Sequence, residues 1–375
     1  MYLRDLRLTN FKNYCEAELR FTDKINCFVG SNGAGKTNLL DAIYYLSFCK
    51  SYFNPIDSQN IRHEEGFFAI HGVYLKNGDE STDKVSCVQK RNQRKQFMLN
   101  GKEYDRLADH IGLYPLVMIS PYDRDLINEG SEVRRRYIDA VISQFDKIYL
   151  DDLISYNKAL YQRNSLLKEF AERSYFDRNL LEIWDEQLIK FGTVIHLKRK
   201  IFIANFLPVF NRYFGIISSG REMVSIAYES QLHTHEFSQL MQDSVQKDRA
   251  LRYTSAGIHK DDLIFNIGSY PVKRFGSQGQ QKSFVIAIKL AQFEYTRSIK
   301  GFKPILLFDD IFDKLDENRV TQLVQLVSQD SFGQVFISDT QYDRIAKLTA
   351  TLPITHLVWE IENGSARPLN SLSHD

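Results

Sequence analysis

Cysteine is scarce: the four residues Cys15, Cys27, Cys49 and Cys87 form no Cys-x-x-Cys pair. Neither a disulfide framework nor a zinc ribbon is expected, and a reducing compartment fits. Long hydrophobic runs are missing too; nothing approaches the roughly 18 uninterrupted apolar residues that span a bilayer. The opening Met1-Tyr-Leu-Arg-Asp-Leu-Arg7 places charges where a signal peptide needs apolar residues, so a cytoplasmic location is expected. Proline (8) and glycine (19) are too few among 375 residues for a collagenous or low-complexity chain. No charge sign dominates. With 48 Lys and Arg against 47 Asp and Glu, the net charge of +1 gives no general attraction for a polyanion. What is present is core material: 43% hydrophobic residues, with 26 Phe, 20 Tyr and 2 Trp. At about 150 residues per domain, the length suggests two domains, or one large domain carrying an insertion.

Alternation at Leu6 and Leu8 against Arg7 and Thr9 predicts a half-buried strand. A second strand, 25–29, runs into Gly30-Ser31-Asn32-Gly33-Ala34-Gly35-Lys36-Thr37, and Leu39, Leu40, Ile43, Tyr44 and Leu46 follow at helical spacing. Strand, glycine loop and helix, in that order, make a phosphate-binding loop. Its glycines let backbone amides wrap phosphate oxygens, and the helix presents its positive end to the same anion. Lys36 is expected to reach the β- and γ-phosphates, and Thr37 to hold Mg²⁺ through its hydroxyl.

Residues 67–104 contain short strand patterns, with Asn77-Gly78 and Asn100-Gly101 as hairpin turns, and read as an antiparallel layer. From 121 to about 250 the pattern is helical without sustained heptads, which predicts a compact helical insertion. Strand patterns return at 262–267, 304–308 and 334–338. Ile305-Leu-Leu-Phe-Asp309-Asp310 is a buried-strand run ending in two carboxylates. Alone it is equally an N-capping pair after a core strand. Beside a phosphate loop, Asp309 is expected to hold the Mg²⁺ shell, and Asp310 to orient or deprotonate the attacking water. Between the two motifs, Ser277-Gln-Gly279-Gln280 opens an apolar helix and can offer a hydroxyl, amides and a dipole to a phosphate.

Phosphate loop, insertion, Ser-x-Gly-Gln, then hydrophobic-Asp-Asp is the motif order of the ABC-type ATPase heads that include SMC and Rad50 proteins. Within that group the chain resembles the RecF family of bacterial recombination proteins. The opening 6–14, Ser120-Pro-Tyr-Asp123, Arg134-Arg-Arg-Tyr-Ile-Asp139, Asn157, Gln162-Arg-Asn164 and Gly257-Ile-His-Lys-Asp-Asp262 carry that resemblance over essentially the whole length. It implies an α/β head, a mixed sheet with an antiparallel β layer. The head is expected at 1–120 (N-terminal part) and 253–375 (C-terminal part), interrupted by a mainly helical arm at 121–252.

The resemblance further implies that Gly30–Thr37 acts as Walker A, Ile305–Asp310 as Walker B, Ser277–Gln280 as the signature and Asp316 as the D-loop aspartate. In such heads the signature of one protomer closes on ATP held by another, giving an ATP-dependent homodimer. Also implied are DNA binding at single-stranded gaps and duplex junctions, cooperation with RecR and RecO in loading RecA, and parts in repair, replication restart and the SOS response. Here Asp310 stands where many heads have Glu, Asp339 stands at the switch position, Tyr122 replaces an acidic residue common in the family, and no Q-loop glutamine is assignable. These departures favour a slow, DNA-stimulated ATPase used as a switch.

Arg91, Arg94 and Lys95, and separately Arg134, Arg135 and Arg136, are candidate DNA-phosphate contacts, or else solvated faces and intramolecular pairs. His233, His235 and Glu236 read as a polar loop, since further metal ligands are not evident. Three other readings remain: a chromosome-organising SMC-type head, disfavoured by missing heptad arms; a transporter ATPase subunit, disfavoured by the long insertion and the cytosolic character; and a small-molecule P-loop kinase, against which Ser277–Gln280 and the second carboxylate weigh.

Overall fold

The computed structural model describes residues 1–76, 81–220, 222–311, 332–350 and 355–369, together with Gln322 and Leu326. The expected Asn77-Gly78 turn and Asp316 lie outside these residues. The chain forms two compact units, Met1–Asp123 with Ile288–Asp375, and Arg124–Ala287. The breaks differ from those expected at 120/121 and 252/253. The second is later because the strand at 262–267 pairs with a strand of the insertion, so residues up to 287 group with the helices.

The first unit has the α/β architecture expected. An antiparallel sheet runs in the order β2(Tyr14–Arg20)-β1(Tyr2–Phe11)-β4(Phe67–Leu75)-β5(Thr82–Lys90)-β6(Gln96–Leu99)-β7(Lys102–Glu103). A second sheet runs β15(Ser365–Pro368)-β14(His356–Glu362)-β3(Ile25–Val29)-β13(Val335–Asp339)-β12(Ile305–Asp309)-β8(Leu116–Ile119). Its four parallel pairings join β14, β3, β13, β12 and β8, and only the edge strand β15 is antiparallel. Because parallel strands are covered on both faces, β3, β8, β12 and β13 are buried at every position. Helix α1(Lys36–Phe48) touches strands of both sheets, so it is buried almost all round, through Leu39, Leu40, Ile43, Tyr45 and Leu46. Its one buried acid, Asp41, is held by Lys12 at 2.6 Å and by the Ser51 hydroxyl, which donates to it at 2.6 Å.

The second unit is helical with a small sheet. Its helices are α2(Asp125–Asn128), α3(Ser131–Ser143), α4(Lys147–Glu172), α5(Arg178–Ser218), α6(Phe237–Leu251) and α7(Val272–Phe275). The sheet is β11(Tyr270–Pro271)-β10(Asp262–Ile267)-β9(Val224–Glu229). The helical reading of 121–250 therefore missed β9.

Heptads are present after all. On α5 one row of buried positions, Leu181, Asp185, Leu188, Gly192, Ile195, Arg199, Phe202 and Phe206, is spaced four and three alternately over 26 residues of a helix that packs on α4. The pattern was hidden because three seam positions are Asp, Gly and Arg. Arg163 of α4 is fully buried and donates to Asp185 (2.5 Å), Asp248 of α6 (2.6 Å) and the Thr254 hydroxyl (2.9 Å). Arg199 donates to Asp139 (2.8 Å), Asp261 (3.0 Å) and the Ile258 carbonyl (2.9 Å). Gly192 leaves room for Phe237 and Tyr156, whose rings would stand 2.4 and 2.9 Å from an added Cβ.

Candidate functional site

The site lies where the parallel strands end. β3 stops at Val29 and the chain enters the glycine loop; β13 sets Asp339 beside Val29, and β12 sets Asp309 beside Ser338. Ligand sites in open parallel sheets form at these carboxyl ends. Glycine is required at Gly30, because an added Cβ would meet the Ile361 carbonyl oxygen at 2.2 Å. Gly33 and Gly35 adopt φ of +81° and +121°, and at Gly33 no heavy atom stands within 4 Å of an added Cβ.

Two neighbouring turns support the loop. From the β1–β2 turn, the Asn13 amide donates to the Ala34 carbonyl (3.0 Å) and the Tyr14 hydroxyl to the Gly35 carbonyl (3.1 Å). From the β14–β15 turn, the Gly364 amide also donates to Ala34 (3.0 Å). The Asn38 amide returns to Asn13 Oδ1 at 2.7 Å.

Lys36 lies within the loop, its Nζ donating to the Gly30 and Ser31 carbonyls at 2.8 and 2.9 Å. Burial pulls its ammonium below the usual lysine range, while Asp310, Asp309 and Asp339 oppose that shift. The Thr37 hydroxyl donates to Asp309 Oδ1 at 2.8 Å, and the Ser338 hydroxyl donates to the same oxygen at 2.8 Å. Burial pushes the Asp309 carboxyl up; the hydroxyls of Ser338 and Thr37 pull it back, and Asp310 adds to the rise. Asp310 sits at φ +47°, with its backbone amide donating to the Ser338 carbonyl (3.3 Å) and hydroxyl (3.0 Å). Asp339 is fully buried; its carboxylate accepts from the Gln341 amide (2.8 Å) and from Arg344 (3.0 Å).

This arrangement fits a magnesium nucleotide on its own terms. The N-terminus of α1 has no side-chain cap and no acid in its first turn, so it faces the loop as an uncompensated positive end. A lysine stands within that loop, and a hydroxyl and a carboxylate already share one point at its edge.

A family model described as the RecF/RecN/SMC N terminal domain matches residues 2–358. The DNA replication and repair protein RecF of Flavobacterium johnsoniae is 53% identical over 363 residues, covering 97% of this chain and 100% of that one. Its counterpart in Phocaeicola vulgatus is 51% identical, covering 97% of both. The chain belongs to the RecF family. A solved structure of the recombination mediator protein RecF with ATP, of the RecFOR pathway, has a TM-score of 0.88 at 29% identity and covers 98% of both chains. The Smc head domain of Pyrococcus furiosus shares the fold alone, with a TM-score of 0.58 at 18% identity. The ABC-type ATPase head architecture is thus the family's own.

The fold brings Gly30–Thr37, Asp309 and Asp310 together, and adds Asp339 and Ser338. Ser277 to Gln280 belong to the second unit, where they cap α8(Gln278–Lys300): the Ser277 amide donates to Gln280 Oε1 (2.7 Å) and the Gln280 amide to Ser277 Oγ (3.2 Å). Ser277 is exposed, and Gln280 also donates to Glu222 at 2.8 Å. Tyr122 is exposed, packing edge-on against Phe53, while its neighbour Asp123 is buried in an ion pair with Lys289 at 2.6 Å.

The basic clusters separate into two kinds. Lys95 points inward, donating to Asp57 (2.6 Å), the Cys49 carbonyl (2.5 Å) and the Tyr45 hydroxyl (3.0 Å). Arg134 makes a two-pronged pair with Asp262 at 2.7 and 2.9 Å, and Arg135 donates to the Asp261 carbonyl at 2.5 Å. Lys95 and Arg134 are corrected from candidate DNA contacts to internal ion pairs, with Asp57 and Asp262; Arg135 bonds a backbone carbonyl, as Arg91 and Arg94 do. Arg91, Arg94 and Arg136 stay exposed, the first two donating to the Glu65 and Asp105 carbonyls at 2.9 Å and the third to Glu132 at 3.0 Å. Among the described residues no group of three or more His, Cys, Asp or Glu is placed to hold a metal ion, and His233 Nε2 donates to the Tyr228 carbonyl at 2.8 Å.

Sequence reasoning missed Asn13, Tyr14, Ser338 and Gly364 as parts of the site. Each lay within a quoted motif or an Asn-Gly turn signal, but nothing in a sequence says that a turn 20 or 330 residues away will lean on the glycine loop.

Proposed function

We propose that this protein is an ATP-gated, DNA-binding recombination mediator that works as a homodimer. The observation that carries the reading is the Thr37–Asp309 contact at 2.8 Å, with Lys36 inside the glycine loop: phosphate cradle and metal ligands occupy one corner. Lys36 and the loop amides hold the phosphates, Thr37 and Asp309 hold Mg²⁺, and Asp310 orients the attacking water. The metal nucleotide supplies the electrophilic phosphorus and the charge screening. The helix start at Ser277–Gln280, exposed at Ser277, closes in one copy on the nucleotide of the other. Binding of single-stranded gaps and duplex junctions, cooperation with RecR and RecO, loading of RecA, roles in replication restart and SOS induction, and a cytoplasmic location follow by likeness to the RecF proteins. Exposed Arg91, Arg94 and Arg136 support a local phosphate contact; a net charge of +1 makes alignment of two patches in a closed dimer the source of affinity.

Slow, DNA-stimulated hydrolysis resets the dimer. The shorter carboxylate at Asp310, in place of Glu, supports that rate. Light scattering with ATP, ADP and no nucleotide tests the reading: Lys36→Ala is expected to lose ATP-driven dimers, whereas ATP-driven dimers in that variant would remove the loop from the mechanism. Asp310→Asn is expected to keep ATP and DNA bound while lowering turnover about 10²-fold or more; unchanged turnover would remove Asp310 from its role.

A further inference from the structure

Helix α5 is apolar on two faces, and α4 covers one. The second row is Leu180, Ile183, Gln187, Lys190, Val194, Leu197, Ile201 and Ala204, again alternating three and four apart, over the same stretch as the buried seam. At about 100° per residue the two rows stand on roughly opposite sides of the helix. Leu180, Ile183, Val194, Leu197 and Ile201 are 43, 55, 38, 55 and 52% exposed. A heptad row is one half of a helix–helix contact.

We propose that a second copy of this chain covers the open row, packed antiparallel about a twofold axis beside Phe191 and Thr193. The charges flanking the row, Glu186 and Lys200, choose that direction. With Thr193 facing its equivalent, Ile183 meets the second copy's Ile201, Leu180 meets Ala204, and Glu186 meets Lys200 across the flank. Each of these pairs occurs twice, as an isologous contact demands. A parallel pairing sets Glu186 against Phe191 and Lys200 against Asn205, and no opposite charges meet. The central layers are weak, since Gln187 and Lys190 interrupt them, although Lys190 can lay its stem along the interface with its ammonium near the Phe191 ring, 5.3 Å from the centroid. A contact of one helix per copy stands at the small end of specific interfaces, so the association is transient and strengthens only with concentration. It needs no nucleotide, which separates it from the ATP-driven dimer.

Sedimentation velocity of the full chain without nucleotide is the test, carried to about 100 μM, where an association of this size is populated. Glu186→Lys and Lys200→Glu are each expected to weaken the dimer about tenfold, and the double exchange to restore it, since it rebuilds both ion pairs. These surface changes leave the fold intact, which circular dichroism checks. In a Cys15→Ser background, Thr193→Cys is expected to yield covalent dimers under mild oxidation. Lys36→Ala keeps this association, so its fate is read independently of the nucleotide site. A chain that stays monomeric and forms no Thr193→Cys dimers overturns the proposal, as does a double exchange that fails to restore association; in the first case a helix of another protein is the better occupant.

Discussion

The helical core of the second unit and the glycine-loop corner of the first use buried charge differently. In the second unit each buried cation is matched. Arg163 faces Asp185 and Asp248, Arg199 faces Asp139 and Asp261, and all are closed off inside a helical core. In the first unit three carboxylates, Asp309, Asp310 and Asp339, gather around Lys36 at the rim of the sheet, with Arg344 on the outermost of them. Burial, more than its acidic neighbour Asp310, raises the Asp309 carboxyl there. Charge paired inside a helical core builds a scaffold; carboxylates gathered around the lysine of a glycine loop build a site.

The largest effect expected from this contrast is at Arg163. Arg163→Ala leaves Asp185 and Asp248 buried without their cation and is expected to cost about 3–5 kcal/mol in chemical denaturation. A cost below about 1 kcal/mol would mean that the network is not what holds α4, α5 and α6 together. Next comes Gly30→Ala, expected to cost about 1–3 kcal/mol through the clash with Ile361, and to weaken nucleotide binding together with it. Wild-type stability in that variant would show that the β14 end does not confine the loop.

Acid sharpens the comparison, because both units hold a neutral histidine in the same way. His110 bonds the Leu46 carbonyl (2.7 Å) and the Tyr104 hydroxyl (3.2 Å), and His259 bonds the Thr254 carbonyl (3.0 Å) and the Tyr156 hydroxyl (2.8 Å). Burial depresses both from 6.5 to about 4. A depressed pKa means that the unfolded chain takes up the proton first, so stability is full above about 6.5 and declines as pH falls toward about 4. Each is expected to contribute on the order of 1 kcal/mol to the loss between pH 7 and pH 5, and His110→Gln is expected to flatten that slope. An unchanged slope would place the acid sensitivity elsewhere.

The smallest stability effects belong to the surface. Arg91→Ala and Arg136→Ala are expected to stay within about 0.5 kcal/mol of wild type, while lowering the salt dependence of DNA binding by about one unit of slope each. Lys95→Ala is expected to do the reverse, costing stability and leaving the slope alone; a reduced slope in that variant would return Lys95 to the DNA surface.

Much of the head was legible. The glycine loop, β3, β12 and the Asn100-Gly101 turn announce themselves through runs, breaks and turn residues that act locally. The helical core was read less well, because its heptads pass through Asp185, Gly192 and Arg199, which look polar until Arg163, Phe237 and Asp139 are brought to meet them. The same blindness made Arg134 and Lys95 look like surface charge: a sequence shows a cation but not its distant partner. Asn13 and Gly364 were invisible for the mirror reason, since one side-chain amide and one backbone amide reach the Ala34 carbonyl from across the fold.

The central claim is that the loop at 30–37 is completed by Ser277–Gln280 of another copy, and mixing two defective variants tests it most directly. Lys36→Ala and Ser277→Arg chains, each inactive alone, are expected to regain ATP hydrolysis when combined, because one intact composite site forms in every mixed dimer. A mixture as inactive as its components would contradict the shared site.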